Sequence, residues 1–498
     1  MLRRLLIGIA VLLLAAVAGV AGAAYWFLAG DGTRLALERQ ATSWLRQPVR
    51  IEQASVRLFP RIGVTLGNVS VGEPAQVTLA NVAVSTGFNA LLSRRIEDAE
   101  IVIADSRVQL PLPFELPTTA AETSAPGAAS LDVMLIGAIG LRNVVVASRG
   151  REIALNADAS LVGSRLALTS ASATSKDTTI EAKGAVQLSP VLDAQLDATA
   201  NRLDLDDLIA LADAFAPRAA TPARGRGAVP AGSLTARISA DSVTAAGLTT
   251  PQFSATVRVQ GNRVSLSPVR FLLFGGRYEG DLDMNLRDSA SITLTSRVRD
   301  IDVAQLAAFG GVPDTITGKL TGNGTFTGRG VDMASMLASA RGTGTATIVD
   351  GTIHRLNLVR TVVLFFGRPA ANAPDASDAF SRFDARFSLA QQVFTAEALS
   401  LQSRDADIVG QGTLSLESTA LQGRADVSLS EELSQQAGTD LYRYTREGNR
   451  VVLPASLSGT LSAPRLSIDA AAAVKRGLKN EVEERLKGLL DRFRPAAQ

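Results

Sequence analysis

The sequence predicts a mainly β protein: many short antiparallel strands, a few short helices, one membrane-spanning helix at the N-terminus and an amphipathic helix at the C-terminus. Three observations carry this reading. An uncharged apolar run opens the chain. From Val49 onward, apolar residues recur at every second position almost to the end, the spacing that puts side chains on one face of a strand. Turn-forming residues break these runs at short intervals.

The first element is the apolar run from Leu5 to Gly30, preceded by Arg3 and Arg4. A helix needs roughly 20 apolar residues to cross the hydrocarbon core of a bilayer. Basic residues ahead of the run favour a cytoplasmic N-terminus, and aromatic rings favour the interface. Leu5, Leu14, Val20, Trp26 and Phe27 are therefore expected to anchor the chain, with everything after it on the outer side. Ala21-Gly22-Ala23 also has the small-x-small form of a signal-peptide cleavage site. The apolar run exceeds the usual signal-peptide core, which favours an uncleaved anchor.

A short helix is expected next, carrying Leu35, Leu37, Trp44 and Leu45 and stopped ahead of Pro48. Strand pairs follow: Val64/Leu66, Val69/Val71, Val77/Leu79 and Val82/Val84, with Gly67-Asn68 read as a turn. The alternation resumes at Ile153/Leu155, Leu166/Leu168, Phe253/Ala255/Val257, Leu282/Met284, Leu399/Leu401, Val427/Leu429 and Leu466/Ile468. Leu203–Ala216, Val303–Phe309, Met333–Ala340, Leu356–Phe366 and Glu431–Tyr444 read as helices. Thr118–Ser130 and Pro217–Gly232 are small, polar and Pro/Gly-rich, so they read as linkers. Ala371–Asp378 reads as a loop.

At the C-terminus, Val474, Leu478, Val482, Leu486 and Leu490 recur at helical spacing. Seven basic residues against four acidic ones lie between Lys475 and Arg494. A helix docked on the sheet, a membrane-surface helix and a partner-binding helix all fit this pattern. The expected organisation is 1–30 N-terminus and anchor, 31–117 a β unit, 118–130 linker, 131–216 a middle β unit, 217–232 linker, 233–470 a larger β domain, and 471–498 helix and tail.

Composition narrows the function. A net charge of +2 over 498 residues is not that of a nucleic-acid binder. With no cysteine there is no disulfide, thiolate nucleophile or cysteine-bound metal. His354 is the single histidine, so no catalytic triad or histidine metal cluster is expected. Gly322-Asn323-Gly324-Thr325-Phe326-Thr327-Gly328 has the wrong spacing for a dinucleotide loop and reads as a β-turn with close backbone packing. Asp281-Leu282-Asp283 reads as a strand with an acidic outer face, and Asp204, Asp206 and Asp207 as a helix start. Asp405 and Asp407 are expected to alternate on a strand. No catalytic residue, cofactor or metal site is expected.

Leu45-Arg46-Gln47-Pro48-Val49-Arg50-Ile51-Glu52, then Ser55-Val56-Arg57-Leu58-Phe59-Pro60 and Gly63 to Gly72, resemble the start of the AsmA family of envelope proteins. Gly342 to Ile353, Phe383 to Leu389, Val409 to Leu414 and Pro454 to Pro464 resemble its C-terminal region. The middle, roughly 118–310, has the same texture without a motif. The resemblance implies an inner-membrane anchor and a periplasmic body. It further implies a chorein-like N-terminal unit and an elongated, curved, groove-forming β-sheet. The implied role is in phospholipid traffic and outer-membrane assembly. The expected partners are the inner membrane, phospholipids and envelope or outer-membrane assembly proteins, with no nucleic acid.

Two readings follow. In one, the apolar face stays uncovered and holds lipid. In the other, it is a filled core, and the protein is a scaffold or regulator of outer-membrane protein assembly.

Overall fold

The structure is a computed structural model. It describes residues 32–57, 61–87, 95–96, 98–112, 132–133, 135–189, 191–215, 232–245, 247–286, 290–330, 333–354, 379–436, 442, 445–469, 472, 475, 477 and 482. The chain is mainly β and divides into two compact units, Met1–Gly261 and Asn262–Gln498.

The N-terminal unit opens with α1 (Gly32–Leu45), which stops before Pro48 as expected. An antiparallel meander follows: β1 (Val49–Arg57), β2 (Ile62–Val71), β3 (Val77–Thr86) and, past the short β4 (Arg95–Ile96), β5 (Ala99–Leu110). The short β6 (Asp132–Val133) pairs with β4. β7 (Leu135–Ser148) lies parallel to β5, with Val108 opposite Val146. Antiparallel order returns through β8 (Arg151–Val162), β9 (Arg165–Ser175), β10 (Thr178–Gln187) and β11 (Leu192–Asp204). After α2 (Leu205–Phe215), β12 (Gly232–Ala245) runs parallel to β11, and β13 (Leu248–Gln260) returns antiparallel.

Three strand pairs thus depart from the expected antiparallel order, β5 with β7, β11 with β12 and the two-residue β4 with β6. Parallel neighbours start at the same end of a sheet and need a crossover of a dozen or more residues. The two linker-like stretches fall in these crossovers. Residues 118–130 and 217–231 lie outside the described residues.

The C-terminal unit is an antiparallel ladder. It comprises β14 (Arg263–Leu273), β15 (Gly276–Asn285), β16 (Ala290–Asp302), β17 (Lys319–Gly330), β18 (Arg341–Thr352) and β19 (Ala379–Ala390). β20 (Val393–Ser403), β21 (Ala406–Ser415) and β22 (Leu421–Leu429) continue it. The two-residue β23 (Arg446–Glu447) pairs only with β24 (Arg450–Thr460), which joins β22 to β25 (Ala463–Ile468). Three helices sit at strand ends: α3 (Val303–Phe309), α4 (Met333–Ala338) and α5 (Glu431–Gln436). Among the described residues, no pairing in either unit joins its first strand to its last, so each sheet is open.

Gly67-Asn68 is not the turn that was expected. It lies inside β2, where the apolar side skips from Leu66 to Val69. β3, β5 and β7 skip at the same level, from Leu79 to Val82, Ile103 to Ser106 and Leu141 to Val144. Asn68, Asp105 and Asn143 take left-handed φ of 51°, 49° and 51° there, a conformation that Asn and Asp tolerate. Asn143 Nδ2 donates to Asp105 Oδ1 at 2.8 Å. The skip keeps the buried apolar side chains on one face although the strict period of two is broken.

The free edge of β1 is satisfied by α1. Glu38 Oε1 accepts from the Ile51 N–H at 2.8 Å and Thr42 Oγ1 from the Val49 N–H at 3.1 Å, while Arg34 donates to the Ile51 carbonyl at 3.1 Å. An edge strand without such cover is a template for pairing with another chain.

Several expected elements lie outside the described residues: the anchor with Leu5, Leu14, Val20, Trp26 and Phe27, the helix Leu356–Phe366, the loop Ala371–Asp378, and most of 471–498. Ala472, Lys475, Gly477 and Val482 are described, and they are helical. Among the described residues, no helix is long and apolar enough to cross a membrane.

Candidate functional site

Each unit sorts its side chains into an apolar and a polar face. In the C-terminal unit, Leu282 and Met284 face one way, and Asp281 and Asp283 the other, as the alternation predicts. Arg270 and Glu279 pair across the polar face at 3.1 Å, as do Arg237 and Asp197 in the N-terminal unit at 3.2 Å.

The apolar face is covered unevenly. Over β2 to β5 it is sealed: Val69 and Val82 are each 1% exposed, in one cluster with Leu37 and Leu45 of α1, while Val56 at the far end of β1 stays exposed. From β8 to β13 the same face carries Leu155, Leu166, Leu168, Ile180, Val186, Leu196, Ile238 and Val257, and every one is only partly buried. The exceptions are a small cluster beneath α2, with Ala200, Leu203, Ala240 and Val243, and three alanines, Ala194, Ala236 and Ala255, at 7%, 8% and 5%. A filled core brings its large side chains to the few per cent seen at Val69; away from α2, the large side chains of β8 to β13 do not reach it.

Register explains the relief of this face. Ala157, Ala171, Ala182 and Ala198 stand opposite one another across β8 to β11. Leu155 and Ile180 flank this row on one side. Leu168 and Leu196, then Leu161, Leu166 and Val186, flank it on the other. A path of methyl groups between larger side chains makes a shallow trough running across the strands.

The C-terminal unit repeats the arrangement with smaller residues. Gly280, Ser296, Gly324 and Gly344 align across β15 to β18. Leu282, Leu294 and Phe326 lie on one side, and Tyr278 and Val298 on the other. Phe271 and Tyr278 stack with centroids 4.4 Å apart, and Phe387 stands 6.5 Å from Phe326 and 5.4 Å from Phe394. A Cβ on Gly324 would lie 2.7 Å from Cε2 of Phe326, so the ring reclines on backbone that no other residue leaves bare. Gly322 to Gly328 is therefore strand interior, not the expected turn; the expected close backbone packing is present. One margin of this face is sealed by Val303, Ile348, Phe380, Leu401, Ile408, Val427 and Leu453. At the other margin, the Met336 carbonyl of α4 stands 2.9 Å from where a Gly328 Cβ would be.

In the N-terminal unit, α2 lies over one rim. Ser148 Oγ donates to the Ala214 carbonyl at 2.6 Å, and Arg149 to the Asp213 carbonyl at 2.7 Å. Asp207 pairs with Lys176 at 2.7 Å and with Arg151. The Lys176 ammonium, with Arg151 beside it, holds the Asp207 carboxyl below its usual range against the opposing effect of burial. Asp204 accepts from the Asp207 N–H at 3.0 Å, the capping role expected of it.

The remaining polar residues of interest do not converge. His354 is exposed just past β18, its N–H donating to the Thr315 carbonyl at 2.9 Å. Asp405 sits in the turn after β20 rather than on a strand. Asp407 is on β21 and accepts from Arg450 at 2.6 Å. Among the described residues, no three His, Cys, Asp or Glu gather as a metal site.

The AsmA family model matches residues 166–399. This chain carries an AsmA-family segment. No curated protein and no solved structure matches the chain. The AsmA segment begins in β9, beyond the sealed β2 to β5, and ends in β20. It thus spans most of the partly buried apolar face. It includes the motifs at Gly342 to Ile353 and Phe383 to Leu389, and the part of the motif-free middle stretch from residue 166 onward. The resemblances at Leu45 to Gly72, Val409 to Leu414 and Pro454 to Pro464 lie outside it. Sequence reasoning missed the Ala157–Ala198 and Gly280–Gly344 rows, because their members are spread over separate strands and only the register lines them up.

Proposed function

We propose that this chain is a non-enzymatic periplasmic protein, anchored in the bacterial inner membrane by its N-terminus. On this reading it holds or conveys phospholipid acyl chains along its apolar β face and takes part in outer-membrane biogenesis and lipid homeostasis. The observation that carries the reading is the contrast along one face, sealed over β2 to β5 and, at the large side chains of β8 to β13 away from α2, only partly buried. Each methylene taken out of water contributes about 0.8 kcal/mol, so an uncovered aliphatic strip tends to acquire a hydrocarbon cover. The two rows of Ala, Gly and Ser leave room for it. They also present almost no hydrogen-bonding group to fix a ligand in one place, which suits passage better than tight recognition.

The test is mass spectrometry of the chain extracted without detergent, for example in polymer-bounded membrane discs, after exchange into lipid-free buffer. Phospholipid retained in stoichiometric amount, and lost when Ala182 is replaced by Trp, is the expected result. A lipid-free protein would reject the reading. If gene deletion then changes outer-membrane protein levels and leaves lipid composition normal, the role as an assembly scaffold takes its place.

A further inference from the structure

The two rims of the N-terminal unit's uncovered face differ. One is closed by α2, tied to the ends of β7 and β8 and to the β9–β10 turn by the contacts of Ser148, Arg149, Arg151 and Lys176. The other, formed by the β8–β9 and β10–β11 turns, has no helix over it among the described residues. These two turns are neighbours, because the Leu188 N–H donates to the Ser164 carbonyl at 2.8 Å. Leu192, on the apolar face with Leu196, is 37% exposed there; Val191 beside it is 50% exposed, and Val162, which faces the other side with Arg165, is 57% exposed. Behind Leu192, the side chains of Leu188, Val186, Leu166 and Leu161 lead onto the trough.

We infer that this rim is a lateral portal, through which acyl chains of a membrane phospholipid slide onto and off the apolar face from the side. The inference rests on the proposed lipid-holding role and adds where loading occurs. The mouth itself says what kind of occupant fits. Its inward side chains are aliphatic and offer no donor or acceptor, so a docked polypeptide would leave backbone groups unpaired. A hydrocarbon chain brings none to satisfy. Arg165 is exposed at the same turns and makes no ion pair among the described residues. It stands in register with Val162 and with Gln187, on the polar face of the last rung before the turn, so a guanidinium there meets a phosphate that stays outside the rim while the acyl chains lie on the apolar side. Asp193, one strand beyond Gln187, is engaged by Ser233.

The chain has no cysteine, so single-cysteine variants of the full protein carry one fluorophore each. The probes are Leu192→Cys at the portal, Ala173→Cys beside the trough, in the flanking row with Leu155 and Ile180, and Ile209→Cys on α2, whose side chain is also exposed. Each is mixed with vesicles of phosphatidylethanolamine and phosphatidylglycerol bearing a nitroxide in the acyl chain. The Leu192→Cys label is expected to be quenched no later than the Ala173→Cys label, and the Ile209→Cys label to stay bright. Adding Val191→Asp and Leu192→Asp to the Ala173→Cys variant should slow quenching about tenfold, the effect of about 1.4 kcal/mol on a barrier, with the final level unchanged. Arg165→Gln should slow loading from phosphatidylglycerol vesicles more than from phosphatidylethanolamine ones. An unchanged rate in the charged-mouth variant, or earlier quenching at Ile209→Cys, overturns the portal and leaves the lipid-holding role standing. A Leu192→Cys label shielded before any lipid is added also overturns it, because another part of the chain then covers the mouth. If the Ala173→Cys label is never quenched, the lipid-holding role falls, and the portal falls with it.

Discussion

Phe387 lies across Gly344. The two residues face each other in register on β19 and β18, and a Cβ on residue 344 would stand 2.6 Å from Cζ of the ring. Glycine lets the ring lie down on the sheet, which keeps the aromatic floor of the C-terminal unit low. Gly344→Ala should lift the ring and cost about 1–3 kcal/mol, the usual range for overpacking. Urea denaturation measures the loss. A double variant with Phe387→Leu removes the ring but leaves the Asn323 carbonyl, also 2.6 Å from that Cβ, and should recover only part of it; equal stability of Gly344→Ala and the wild type would contradict the geometry.

Ala182 tests the trough itself. It stands between Ala171 and Ala198 on a face left partly exposed. Ala182→Trp should therefore change stability by no more than about 0.5–1 kcal/mol, as a surface substitution does, while displacing bound acyl chain. Thermal melting and lipid content read the two effects separately. A loss of several kcal/mol would mean that the space above Ala182 is already filled by protein.

The α1–β1 latch predicts a local effect. Glu38→Ala removes the acceptor of the Ile51 N–H and should cost about 1–3 kcal/mol, the penalty for orphaning a partly buried donor. Hydrogen exchange at the Ile51 amide should accelerate, and the bared edge of β1 should promote self-association on sedimentation. Glu38→Gln keeps an acceptor and should largely restore both.

The pH response of α2 follows from Asp207. Lys176, then Arg151, depress its folded pKa below the unfolded value. The stabilisation is therefore fully present above the ordinary aspartate range near about 4. It is lost as pH falls through the lower folded value. Helix docking should be flat from neutral pH down to the mildly acidic range and weaken below it. Asp207→Asn should remove about 1 kcal/mol at neutral pH, discounted for the exposure of Lys176. A fluorophore on α2 followed against pH reads both, and a release midpoint above the ordinary aspartate range would refute the assignment.

Much of the fold is legible in the residues because strand alternation and helix stops are local. Val303–Phe309 is a helix with the bounds the apolar pattern implies, and α1 ends where Pro48 requires. Even the skip from Leu66 to Val69 is visible as a broken period. Its meaning is not, since Gly-Asn reads equally as a turn or as a left-handed twist inside a strand. Gly322 to Gly328 misled in the same way: glycine signals bare backbone, and only the Phe326 ring above it shows that the bareness serves packing. The parallel joins at β7 and β12 are equally hidden, because strands on either side of a long crossover carry no local mark of which neighbour they choose.

By itself the sequence determined which residues face the same side, since a period of two depends only on the covalent geometry of an extended chain. Only the tertiary structure decided which of those faces is sealed and which is left to solvent. It alone also decided that Ala157, Ala171, Ala182 and Ala198 form one continuous path. Burial and register depend on what a strand's neighbours bring, and those neighbours lie many residues away.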